Sequence, residues 1–175
     1  MNKTHKQALF INPYTLKMRR YFHMYPELSN QEYYTHKKII EELKSMKIDY
    51  EVIGDYSIVA KLKKGKQNKK IAFRCEMDAL PIDEDSDYPY QSKIKGVAHM
   101  CGHDAHMAIL LSVLKVLKDS TFNGTLYVVF EEANETYNGA NKIVDSHILD
   151  GFDFIFALHN MPNIKSGDIC IGKGL

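Results

Sequence analysis

From about residue 70 onward, short β-branched and aromatic runs alternate with segments of helical periodicity, and this alternation restricts the available folds more than any other feature. Ile71, Ala72, Phe73 and Arg74 read as a strand of the buried type. Residues 107–117 carry Met107, Leu110, Leu111, Leu114 and Leu117 on one helical stripe. Residues 124–130 read as a second strand, 139–148 as a short helix, the apolar run 152–158 as another buried-type strand and 168–171 as a last one. Strands interleaved with helices bury both faces of a sheet, so the expected fold is α/β, with three α/β/α layers around a mixed, mostly parallel sheet.

The first seventy residues are read separately. Residues 12–22 predict a helix that Pro26 stops. Ser29 followed three residues later by Glu32 predicts a capping box. The helix beyond it places Ile39, Leu43 and Met46 on one face. Residues 50–53 and 57–60 flank Gly54-Asp55 as a hairpin. The basic run 63–70 reads as the solvated tip of a further hairpin. No repeat, low-complexity tract or linker divides the chain.

Lys plus Arg total 23 and Asp plus Glu 22, giving a formal net charge of +1. That balance makes no electrostatic case for nucleic acid. No apolar run approaches the roughly 18 residues of a membrane span, and the apolar stretch 8–11 is too short for a signal-peptide core. Cys75, Cys101 and Cys170 are odd in number and widely spaced, which argues against a disulfide framework and for a reducing compartment. A cytoplasmic protein is expected, with neither nucleic acid nor membrane as partner.

Chemistry concentrates in His99-Met100-Cys101-Gly102-His103-Asp104-Ala105-His106, directly before the 107–117 helix. In an extended turn, Cys101 and His103 point the same way, and Gly102 lets the backbone bend between them. A thiolate and an imidazole suit zinc or a similar borderline metal. Asp104 is suited to hold an imidazole ring by its second nitrogen. A second, acidic cluster, Glu131-Glu132-Ala133-Asn134-Glu135, follows the 124–130 strand, and His159 follows the 152–158 run. In open α/β sheets, sites gather at the carboxyl ends of strands, so three groups of donors at three such ends form a constellation.

Three segments carry a resemblance: Arg19-Arg20-Tyr21-Phe22-His23-Met24-Tyr25-Pro26-Glu27-Leu28-Ser29, Arg74-Cys75-Glu76-Met77-Asp78-Ala79-Leu80-Pro81-Ile82, and the stretch 99–106. Together they resemble the metal-dependent amidohydrolases of the M20 peptidase family, in the branch of N-acyl-amino-acid amidohydrolases, hippurate hydrolases and N-acetyldiaminopimelate deacetylases. The resemblance runs from about residue 16, so residues 1–15 are expected to be an N-terminal extension and the start of the first helix, and 16–175 part of a catalytic domain. It implies one or two divalent ions, zinc or manganese, held by Cys101, His103, Glu135 and His159, with Asp104, His106 and Asp78 orienting them. It also implies hydrolysis of the amide bond of a small N-acyl amino acid, with the metal polarising the carbonyl and a general base taking the proton of a water.

Three departures qualify what the resemblance implies. The family places adjacent glutamates after the strand, the first as base and the second as ligand; counted from Phe130 and from Gly139, the base position holds Asn134. An amide does not accept that proton near neutral pH. Family members are roughly twice this long, with their last ligating histidine and a lid domain further on, so the chain reads as truncated. Glu76 stands where aspartate is usual and keeps the charge. The competing expectation is therefore a metal-binding remnant or split-gene fragment without turnover, self-associated or completed by a second chain. A structural zinc protein, which needs two ligand pairs, fits less well.

Overall fold

The computed structural model describes residues 3–67 and 69–172. In chain order it contains α1 (Lys3–Met24), α2 (Tyr33–Met46), β1 (Asp49–Ile53), β2 (Ser57–Lys64), β3 (Lys70–Glu76), α3 (His103–Leu117), β4 (Gly124–Glu131), α4 (Gly139–Asp145) and β5 (Phe154–Ala157). The strand order is β1-β2-β4-β3-β5. β2 pairs antiparallel with β1 and β4, while β3 pairs parallel with β4 and β5. The sheet is mixed, with β2 alone running against the others, and the α/β expectation holds.

Alternation along β4 explains its central place. Leu126, Val128 and Phe130 face one way and pack with Ile58, Ala60 and Cys75 against Met18, Phe22, Ile39, Leu43, Met107, Leu110, Leu111 and Leu114 of α1, α2 and α3. Val129 faces the other way and meets Val59 and Ile143 of α4. A strand apolar on both faces must be covered on both, and this gives the three layers. Each fully buried side chain of this kind stabilises the fold by roughly 1.5–3 kcal/mol.

Several expectations change. β2 and β3 are not neighbours, because β4 lies between them; the 63–70 segment is a crossover rather than a hairpin tip. It is tied down by Asn123 Oδ1, which accepts from the N–H groups of Lys66 and Gln67, both at 2.9 Å. Asn68 of that run lies outside the described residues. The first helix starts earlier than expected and continues through Pro13, so residues 1–15 and 16–24 share one helix where they are described. The capping box does not form: Ser29 donates to Asp78, and the orphan N–H groups of Tyr34 and Thr35 are accepted by Glu27. The carboxylate seven residues before the first of these donors does what the nearer residues were expected to do. Residues 168–171 form no strand, since no described strand lies beside them to take their hydrogen bonds.

The 152–158 run does form β5, but at the sheet edge rather than buried. Phe154, Ile155 and Phe156 are 58%, 53% and 47% exposed. Phe156 stacks on Phe73 at 5.4 Å between ring centroids and on Phe154 at 6.0 Å. An exposed aromatic face beside an unpaired strand edge favours association. The 175-residue chain is expected to self-associate in sedimentation velocity, and Phe156→Lys to shift it toward monomer. A wild-type chain that stays monomeric at high concentration contradicts this.

Candidate metal centre

The parallel strands β3, β4 and β5 end at the same side of the sheet, and the segments leaving them carry the chemistry. Glu76 closes β3 and Asp78 follows it, Glu131 closes β4 and residues 132–135 follow it, and His159 follows β5. The N-terminus of α3 joins them from one side. Contrary to the extended turn expected, His103, Asp104 and His106 already lie in the first helical turn. Gly102, at φ 87°, makes the sharp entry that leaves Cys101 just outside. That left-handed backbone is easy for glycine and costly for residues with a Cβ.

Cys101, His103, Glu135 and His159 converge. Cys101 Sγ lies 3.3 Å from His159 Nε2, and His103 Nε2 lies 3.8 Å from Glu135 Oε1. The donor atoms of Cys101, His103 and His159 are all within 4.8 Å of one another. Both rings are oriented by the backbone: His103 Nδ1 donates to the Asp78 carbonyl at 2.8 Å, and His159 Nδ1 to the Asn160 carbonyl at 2.7 Å. Each proton is thereby fixed on Nδ1, and each Nε2 presents its lone pair to the same spot. Partial burial, together with the charges of Glu135, Glu76 and Asp78, pushes the Cys101 thiol up to about 11. A divalent cation would invert that balance and favour the thiolate. The donor set of one thiol, two imidazole Nε2 atoms and one carboxylate fits a zinc-type ion.

The residues expected to orient these ligands divide. Asp78 does so: its carbonyl and Oδ1, the latter at 3.4 Å, face His103 Nδ1, and its Oδ2 accepts from the Glu135 N–H at 2.8 Å and the Ser29 hydroxyl at 2.7 Å. Burial pushes this carboxyl up, but those donors outweigh it and hold it below the usual carboxylate range. Asp104 does hold an imidazole, but it is that of His23, at 2.8 Å, with Arg19 at 3.2 Å. His106 stands beside the centre, its ring 5.0 Å from that of His159. Glu76, His103 and His106 also lie within 4.8 Å of one another, but Glu76 is taken up by Arg74 Nη1 at 2.7 Å and His106 Nδ1 at 3.0 Å. This group is a hydrogen-bonded support rather than an open ligand set. His99, counted with the cluster in the sequence, joins neither group; it is buried with neither ring nitrogen partnered, and burial holds it down at about 4.

The acidic loop is pinned from behind. Glu132 is fully buried and accepts from the Tyr56 and Ser57 N–H groups and from Lys142 Nζ, so it points away from the centre. Glu131 is held by Arg74. Asn134 Nδ2 lies 3.5 Å from Glu131 Oε1. Glu32, mistaken in the sequence for half of a capping box, accepts instead from the Ala133 N–H at 2.6 Å, which supports the loop where Ala133 adopts φ 49°. An isolated glutamate ahead of a helix gives no sequence signal for that task.

The geometry is that of an α/β domain with a candidate metal site at the carboxyl ends of its parallel strands. The sequence model of the family described as peptidase family M20/M25/M40 matches residues 72–174, and the chain belongs to that family. It is 41% identical over 161 residues to the hippurate hydrolase of Campylobacter jejuni, covering 90% of this chain and 42% of that protein. It is 35% identical over 170 residues to thermostable carboxypeptidase 1 of Saccharolobus solfataricus, covering 94% of this chain and 43% of that one. Among solved structures it superposes with TM-score 0.84 on the Bacillus subtilis YXEP protein, a dinuclear metal binding peptidase from the M20 family. That match has 34% identity and covers 88% of this chain and 44% of the other. The chain thus spans less than half the length of the relatives it matches.

Two tests follow from the geometry. A Cβ at Gly102 would meet Asn160 Oδ1 at 1.9 Å, so Gly102→Ala should displace the His159–Asn160 loop and weaken zinc binding in isothermal titration; unchanged affinity would count against the packing described. Burial raises the Glu32 carboxyl to about 7 from 4.5, and its Oε2 meets no partner. The folded state therefore holds this proton more tightly than the unfolded one. The resulting stability is full below about pH 4.5 and lost as pH rises to about 7. Glu32→Gln keeps an acceptor for Ala133, so it should gain on wild type in urea midpoint between pH 5 and pH 8. A constant difference across that range would refute this.

Proposed function

We propose that the centre is that of a metal-dependent hydrolase of the amide bond in small N-acyl amino acids, and that the 175-residue chain binds the metal with little or no turnover. The observation that carries the reading is the convergence of Cys101, His103, Glu135 and His159, with both imidazoles oriented by backbone carbonyls. The names of the hippurate hydrolase and of the two Bacillus subtilis N-acetylcysteine deacetylases among the relatives support the substrate class. Zinc suits sulfur and nitrogen donors best, with manganese the alternative. Among the described residues no helix is long and apolar enough to cross a membrane, and three free cysteines fit a reducing, cytoplasmic setting.

A divalent ion at these residues supplies Lewis acidity, polarising an amide carbonyl and acidifying a water molecule. Asp78 then holds the His103 ring and the Glu135 backbone so that their donors keep their spacing. The position for proton transfer is occupied by Asn134, whose amide can orient a water or a carbonyl but cannot take a proton near neutral pH. Neither neighbouring glutamate replaces it: Glu131 is paired with Arg74, and Glu132 is turned toward Tyr56, Ser57 and Lys142. His159 is exposed and Glu135 partly so, which leaves one flank of the centre open to solvent. Water on that flank weakens the electrostatic stabilisation a closed site gives.

Loss of the general base costs typically about 10²–10⁴-fold in rate. The purified chain, loaded with zinc or manganese, is expected to bind the ion and to hydrolyse N-acetyl, N-benzoyl and indole-acetyl amino acids at or below detection. Asn134→Glu should raise the rate by up to that factor, and Asn134→Gln should not. Wild-type turnover equal to that of Asn134→Glu would refute the role given to this position. Turnover abolished by Glu132→Gln would move the base there. Failure to bind either ion would remove the reading altogether.

A further inference from the structure

His159 has the least secure footing of the four donors. It leaves β5, a four-residue edge strand exposed along its whole length, and enters a segment without regular structure. What holds it is the next residue. The Asn160 N–H donates to His106 Nε2 at 3.2 Å, and the Asn160 carboxamide lies against the same nitrogen at 2.9 Å. The carboxamide also fills the space that the missing Cβ of Gly102 leaves open. His106 is buried, and its other nitrogen is gripped by Glu76 at 3.0 Å. Glu76 closes β3 and is itself fixed by Arg74, which pairs with Glu131 across the register Glu76↔Glu131. An unbroken chain of polar contacts therefore runs from the middle of the sheet to the loop carrying His159: Glu131, Arg74, Glu76, His106, Asn160.

We infer that Glu76 is a positioning residue: through His106 and Asn160 it sets where His159 stands in the metal centre. This rests on the reading of Cys101, His103, Glu135 and His159 as ligands. The carboxylate is the member that faces both ways, with Oε1 on Arg74 and Oε2 on His106. Its two oxygens couple the end of β3 to a side chain of α3, and the irregular segment carrying His159 packs on that side chain through Asn160. Residues that orient metal ligands in this way are typically worth about 10–100-fold in metal affinity.

The test is a double-mutant cycle on the 175-residue chain with Co²⁺ as the probe. Dissociation constants come from titration, and the thiolate-to-cobalt charge-transfer band reports Cys101 separately. Glu76→Gln keeps the side-chain length and removes the charge; it is expected to weaken cobalt binding about 10–100-fold while the thiolate band remains at saturation. In a His159→Ala background the same change should cost little, since the ligand it positions is gone. His106→Gln opens the chain from its other end and should behave alike, so it decides the matter if Glu76→Gln does not fold. Equal losses with and without His159, or a loss of stability with cobalt affinity unchanged, would make Glu76 a structural residue only and overturn the inference. A wild-type chain that binds no cobalt would instead refute the metal centre itself, a distinguishable result.

Discussion

The carboxylate of Asp78 is the constraint on which the site depends. It is buried at the end of β3 and meets three separate parts of the chain: the Ser29 hydroxyl ahead of α2, the His103 ring at the start of α3, and the Glu135 N–H beyond β4. Each partner needs an acceptor at that point, and a buried carboxylate costs several kcal/mol unless it is met by such donors. The arrangement is therefore mutually enforcing. Asp78 stays ionised because the Ser29 hydroxyl and the Glu135 N–H donate to its Oδ2 beside the His103 ring, and those two donors stay in register because Asp78 is ionised. The segment ahead of α2 and the acidic loop meet at the Asp78 side chain, and α3 meets its backbone carbonyl, so one residue that is not itself among the converging donors brings all three to one place.

Much of this was legible in the sequence because periodicity and metal-ligand chemistry are local signals. The stripe of Met107, Leu110, Leu111 and Leu114 predicted α3, and all four are buried. The Cys101–His103 pair, the acidic cluster 131–135 and His159 stood out by residue type, while Glu135 was singled out within its cluster only through the resemblance to the M20 family. What stayed hidden is non-local. That β4 would part β2 from β3 depends on which strand is apolar on both faces, and this competes across the whole sheet. That Glu32 would reach Ala133, 101 residues away, or His23 reach Asp104, is a matter of three-dimensional packing with no spacing rule. The exposure of Phe154 and Phe156 was equally unreadable, since an apolar run predicts a strand but not whether anything covers it.

The contrast between Glu132 and Glu135 shows how one loop assigns opposite tasks to similar residues. Both are glutamates within four positions, yet Glu132 is fully buried against backbone N–H groups and Lys142, while Glu135 is partly exposed beside His103. The turn at Ala133, with its positive φ, reverses the chain between them. Gly139 permits the next helix to start against this turn, since a Cβ there would strike the Glu132 carbonyl at 1.7 Å. Backbone shape, rather than residue type, decides which carboxylate faces the centre.

Charge explains why asparagine is accommodated at position 134. Around the strand ends stand the carboxylates of Glu76, Asp78, Glu131 and Glu135, and Arg74 is the guanidinium placed directly among them, paired with Glu76 and Glu131. The negative charges of Glu135, Glu76 and Asp78 help to raise the Cys101 thiol. A further carboxylate at 134 would stand beside Glu131, where the amide now lies at 3.5 Å, and like charges that close cannot both remain ionised cheaply. The same excess of negative charge that makes the donors receptive to a cation makes a proton acceptor at this position costly. The amide relieves that repulsion, and on the function proposed above the same substitution removes the base.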